Sequence, residues 1–196
     1  GVIAYEDQIS ISGVGFDIGC GNMAVKLDLP YSDISALHSI IAQDISRKIS
    51  FGVGRTNAER VEHSLFDDND AWLKSDMGEY RSKAVSQLGT VGSGNHYVDL
   101  MRDEEGFVWI GVHFGSRGFG HKTATGFIAL SQGLEFDGKG KEGSMDSKPI
   151  LFDINTHLGQ SYIEAMTLAG NYAYAGRDVV VDKVLEILGA KITFSV

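Results

Sequence analysis

At 196 residues, with 43% apolar and 22% charged side chains, the chain is long enough to bury a substantial core and has the composition of an ordinary soluble globular protein. No apolar run reaches the ~18 residues a membrane span needs. The net charge of −9 argues against broad nucleic-acid binding through a basic face, although not against a local basic groove. A single cysteine excludes an internal disulfide framework. The opening GVIAYEDQIS has neither the basic nor the apolar region of a signal peptide, which points to a reducing cytoplasm where a thiol stays free to bind metal or react.

With 25 glycines and 2 prolines, the sequence predicts many tight turns and close backbone approaches. Residues 10–29 read as two short strands around the turn GFDIGCG, with Met23 to Leu29 alternating as a half-buried strand that Pro30 ends. Ser32 or Asp33 is placed to cap a helix whose apolar stripe is Ile34, Leu37, Ile41 and Ile45. That helix stops before a second glycine loop, FGVGRTN. Residues 58–87 are polar and helical in parts, with DDND as a turn. LGTVGSGNHYVDL is a third glycine loop running into a strand. After a turn through RDEEG comes an alternating strand, Phe107 to His113, which empties into FGSRGFGH, read as a fourth glycine loop. Residues 131–149 are expected to be a mobile surface loop, and a long helix follows from Thr156, with Tyr162, Met166, Ala169, Ala173, Gly176 and Val180 on one face. Tyr162, Tyr172 and Tyr174 are expected in its core rather than on a base-stacking platform. The sum is one α+β domain over residues 1–196, with mixed sheets and flanking helices. Its glycine loops gather around one polar cleft, and clean βαβ alternation is absent.

The chemistry-bearing residues lie beside those loops. Asp17 and Cys20 share the first, His96 follows the third, and His113 precedes the fourth. Thiolate, imidazole and carboxylate together suit zinc, manganese or iron, and glycines let the main chain approach an ion closely. Each alone has a plainer reading: a cysteine acting as a small hydrophobe, a satisfied surface or core histidine, a D-x-x-C pair of the kind that occurs by chance. GTVGSGNH could form an anion nest, with Asn95 adding a side-chain N–H, but it lacks the G-K-[ST] of a P-loop. Arg117 has the fork suited to phosphate, and a surface ion pair is its plainer role. His38, His63 and His157 read as structural or solvated, and His121 as ambiguous.

Taken in order, GVGFDIGCGN, GTVGSGNHYVDL and HFGSRGFGH closely resemble the RtcB-type RNA-splicing ligases, as does LAGNYAYAGRD on the long helix. The resemblance implies a cytoplasmic RNA ligase that uses GTP and two manganese ions to join 3′-phosphate or 2′,3′-cyclic phosphate ends to 5′-hydroxyl ends. The RNA would be tRNA halves in splicing or broken RNA in repair. It implies that Asp17, Cys20, His96 and His113 are metal ligands, with the Cys20 sulfur bridging two ions. It implies that Asn95, His96, Tyr97, Val98 and Asp99 form a segment meeting the guanylate, and that Arg117 lies near RNA phosphates. Asp99 stands where many relatives carry Glu. The histidine that takes up GMP is expected beyond Val196, which makes the chain an RtcB-like ligase domain truncated at both ends. The same side chains also suit a metal-dependent phosphoesterase or nucleotide hydrolase, or a non-catalytic nucleotide- or RNA-binding fragment.

Overall fold

Two alternating stretches build the centre of the molecule. In the computed structural model, which describes residues 2–67, 69–74, 77–141, 143 and 147–196, the chain runs through β1 (Gln8–Ser10), α1 (Ile11–Val14), β2 (Gly21–Pro30), α2 (Tyr31–Ile34) and α3 (His38–Lys48). It continues through α4 (Asn69–Lys74), α5 (Arg81–Gln87), β3 (Tyr97–Arg102), β4 (Phe107–Phe114), α6 (Arg117–Ser131), β5 (Leu151–Asp153), α7 (His157–Leu188) and β6 (Ile192–Ser195). The class is α+β, as expected, and both sheets are antiparallel: β3-β4-β2-β6, and the small pair β1-β5.

Period-2 alternation decides which face of the large sheet is buried. Val108, Ile110, Val112 and Phe114 of β4 point one way with Val25 and Leu27 of β2, and all are buried. They pack with Ile34, Ile41 and the C-terminal part of α7 into an aliphatic cluster. A second, aromatic cluster gathers Phe66, Trp72, Phe119, Phe127, Tyr162 and Tyr172. The helix α7 serves both, through Tyr162 to Ala175 on one side and Val180 to Val184 on the other. Its start is capped by Thr156, whose hydroxyl accepts from the Gly159 N–H, and its end by Gly189 at φ 63. None of the described helices is long and apolar enough to cross a membrane.

Several expectations need correction. The first strand lies at Gln8–Ser10, a helical turn occupies Ile11–Val14, and β2 runs on to include Pro30. The helix expected from Ser32 or Asp33 is broken into α2 and α3, because Ser32 and Ser35 spend their hydroxyls locally on Asp33 Oδ1 and the Ser32 carbonyl. Neither Ser32 nor Asp33 caps: α2 follows Pro30 without a side-chain cap bond, and Leu37 is exposed. FGSRGFGH is not a loop but the entry to α6. Its glycines are packing sites, since a Cβ on Gly118 would stand 2.8 Å from Gln87 Oε1. DDND falls partly outside the described residues, with Asn69 already opening α4. Beyond Ser131, which ends α6, the described residues of the 131–149 segment are largely exposed and without helix or strand, as expected of a surface loop, with Phe136 against Phe127 and two hydrogen bonds between Gln132 and Lys141. Tyr174 is solvent-exposed rather than core.

Candidate metal centre

Topology explains why distant side chains meet. Because β2 and β3 both run antiparallel to β4, their beginnings lie beside its end. Cys20 immediately precedes β2, His96 immediately precedes β3, and His113 is the penultimate residue of β4. Register then sets neighbours: His113 is paired with Asn22 on one side and Tyr97 on the other, so all three share a face. The Tyr97 ring stacks on the His113 ring at 5.6 Å and 16°. The amide oxygen of Asn22 accepts from the Tyr97 hydroxyl at 3.0 Å and from His113 Nδ1 at 2.8 Å. An amide oxygen can only accept, so the His113 proton sits on Nδ1 and Nε2 faces the site as an acceptor. That Nε2 lies 3.4 Å from Cys20 Sγ and 3.1 Å from Asn95 Nδ2.

Asp17 and Cys20 are brought together by a tight turn, closed by the Cys20 N–H donating to the Asp17 carbonyl at 2.9 Å. Gly19, at φ 69, makes the turn possible. Asp17 Oδ2 is 2.9 Å from His96 Nε2, which is 3.8 Å from Cys20 Sγ. One ligand atom from each of Asp17, Cys20 and His96 lies within 4.8 Å of the other two. Around a tetrahedral ion with bonds of 2.0–2.3 Å, neighbouring donors stand ~3.3–3.8 Å apart. The spacings here are close to that, and the donor set of sulfur, carboxylate and imidazole suits a borderline divalent metal.

Two glycines cradle the donors. A Cβ on Gly115 would stand 2.5 Å from Asp17 Oδ1, and one on Gly92 would stand 2.2 Å from His96 Nδ1. That Nδ1 is buried and has no hydrogen-bond partner among the described residues. Burial, helped by the neighbouring Asp17 carboxylate, pushes the Cys20 thiol up to about 11. A coordinating cation reverses that preference, since a bound thiol is deprotonated.

Of the other residues singled out from the sequence, Asn95 is at the centre, against His113. Asp99 is exposed on β3 two residues beyond Tyr97 and so on the same face, whereas Val98 packs into the aliphatic cluster on the other. Arg117 opens α6 at φ 56; its Nε donates to Thr90 Oγ1 and its Nη2 to the Gly52 carbonyl, both at 3.2 Å. A Cβ on Gly92 would also stand 2.3 Å from Arg117 Nη1, which places that nitrogen beside the His96 ring. His38 pairs with Tyr31, and His63 caps the short turn at Ser64–Phe66 by accepting from the Leu65 N–H, both structural uses; His157 is exposed at the start of α7. His121 lies against Phe16 at 5.5 Å. Sequence reasoning missed Asn22 as the residue that orients His113. Its signal was a polar side chain two places after Cys20, at the mouth of an apolar strand.

The family described as tRNA-splicing ligase RtcB matches residues 1–195. A tRNA-splicing ligase RtcB from Methanococcus maripaludis is 28% identical to the chain over an alignment of 230 residues, covering 92% of this chain and 47% of that relative. One from Pyrobaculum aerophilum is 28% identical over 233 residues, covering 93% and 46% respectively. The chain thus spans about half the length of these curated relatives.

Proposed function

The chain belongs to the RtcB family, and on that premise we propose that it carries the metal- and guanylate-binding part of an RNA ligase. The reaction would join RNA 3′-phosphate or 2′,3′-cyclic phosphate ends to 5′-hydroxyl ends, with GTP as the activating nucleotide and manganese as the metal. The observation that carries this reading is the meeting of four ligand-type side chains, with Cys20 Sγ 3.4 Å from His113 Nε2 and 3.8 Å from His96 Nε2. Asp17, Cys20, His96 and His113 would hold the two ions. When bound, such ions neutralise phosphate charge and polarise phosphoryl oxygens for in-line attack.

The chain's own residues have separable roles in this reading. Asn22 fixes the His113 tautomer, and Tyr97 holds the ring flat by stacking. Asn95 to Asp99 form the wall that meets the guanylate: the side chains of Asn95, Tyr97 and Asp99 offer donor, ring and acceptor, and Val98 contributes only its backbone. Arg117 spends Nε and Nη2 on protein oxygens and directs Nη1 towards the centre, where an RNA phosphate would meet it. Recognition of an end phosphate and its 2′-hydroxyl needs no broad basic face, which is compatible with the net charge of −9.

The test has two stages. Manganese at millimolar concentration should raise the melting temperature of the chain, and Cys20→Ser should remove the rise. The whole protein, given GTP, manganese and labelled RNA ends, should then form joined RNA. Phosphate release without a joined product would favour a hydrolase instead, and metal-dependent RNA binding without turnover a binding module.

A further inference from the structure

The buried arginine of α7 is used by neither the proposed chemistry nor any ion pair among the described residues. Arg177 is 3% exposed, and its Nη1 donates to the carbonyl of Gly19 at 2.9 Å and to that of Phe114 at 2.7 Å. Gly19 is the residue before Cys20, and Phe114 is the residue after His113. One nitrogen, with its two hydrogens both engaged, therefore ties the two junctions that carry the sulfur and the imidazole facing it. The surroundings fit that role. Gly170, Ala173 and Arg177 fall three and four residues apart on one face of α7. A Cβ on Gly19 would come within 3.1 Å of Ala173 Cβ and 3.3 Å of Gly170 Cα, so small residues let the loop sit directly on the helix while the arginine reaches past them. The guanidinium is covered outside by the Tyr174 ring, 4.7 Å away.

We propose that Arg177 is a positioning residue of the metal centre, setting the Cys20 to His113 separation by holding the Gly19 and Phe114 carbonyls on one donor. This rests on the reading of Asp17, Cys20, His96 and His113 as metal ligands. A planar fork anchored in a helix resists sliding better than a point-charge ammonium, which has no fixed donor geometry. Tyr174, itself exposed, lies over the guanidinium and leaves it little contact with water.

Cobalt(II) titration tests this, because a cobalt–thiolate bond gives a near-ultraviolet charge-transfer band that reports Cys20 directly. The wild-type chain should bind cobalt and show the band. Arg177→Met should lower cobalt affinity by about 10–100-fold, the range for loss of a ligand-orienting partner, and should weaken the band per bound ion. Arg177→Lys should recover part of both. Val184→Ala, a deletion in the aliphatic cluster on the same helix, should lower the metal-free melting temperature and leave affinity and band unchanged. If Arg177→Met does not fold, Arg177→Lys decides alone, with reduced affinity supporting the inference and wild-type affinity refuting it. Wild-type affinity and band in both arginine variants would overturn the positioning role while leaving the metal reading intact. Absence of a thiolate band in the wild-type chain would overturn the metal reading itself, and the positioning role with it.

Discussion

The two cores differ in material and in what they carry. The aromatic cluster is helical and built from large rings, and through buried Ile18 it supports the turn bearing Asp17 and Cys20. The aliphatic cluster is the underside of the sheet, and through Val91, Val112 and Phe114 it supports His96 and His113. Phe114 even meets the His96 ring edge-on, at 6.5 Å between centroids. The candidate centre therefore lies on the seam, with its carboxylate and sulfur resting on one core and its imidazoles on the other. Such a site is sensitive to relative movement of the two cores, which is why α7, common to both, carries Arg177 at the crossing.

The comparison can be broken most strongly by emptying one core at a time. Phe114→Ala and Trp72→Ala should each cost about 3–5 kcal/mol, read by chemical denaturation. Phe114→Ala should weaken metal binding more than Trp72→Ala does, because Phe114 meets the His96 ring directly whereas Trp72 packs against Phe66 and Phe119. Equal effects of both on affinity would mean that the centre does not depend on which core is damaged. Next in size, Asn22→Ala removes the acceptor for both His113 Nδ1 and the Tyr97 hydroxyl, and should lower metal affinity about 10–100-fold with little change in metal-free melting. An unchanged titration would show that sheet packing alone orients the ring.

Smaller effects sharpen the contrast inside the aromatic core. The Tyr172 hydroxyl donates to the Ala84 carbonyl at 2.8 Å, so Tyr172→Phe should cost about 1 kcal/mol. The Tyr162 hydroxyl is equally buried and has no hydrogen-bond partner among the described residues. Tyr162→Phe should be neutral or slightly stabilising by thermal denaturation. A clear loss there would reveal a partner for that hydroxyl.

Much of this arrangement could be read from residue order. The alternation of Met23 to Leu29 and of Phe107 to His113 marked both central strands. The period of Tyr162, Ala169, Ala173 and Val180 marked the buried face of α7. The four ligand-type residues were found because each stands where a strand meets a glycine turn. What misled was glycine itself. In FGSRGFGH it reads along the chain as a loop opener, whereas Gly118 and Gly120 are helical residues that leave room for Gln87 Oε1 and Ser116 Oγ. A contact across the fold cannot be seen along the chain. For the same reason Asn22 and Arg177 were missed: one acts across a strand register, and the other on carbonyls 158 and 63 residues away.

At 32 residues, α7 is roughly 48 Å of continuous helix, and neither cluster can come apart without stripping one end of it. Melting should accordingly be a single step by any probe. In hydrogen–deuterium exchange, the amides from Ala173 to Val180 should be the last to gain deuterium, opening only when the whole molecule does.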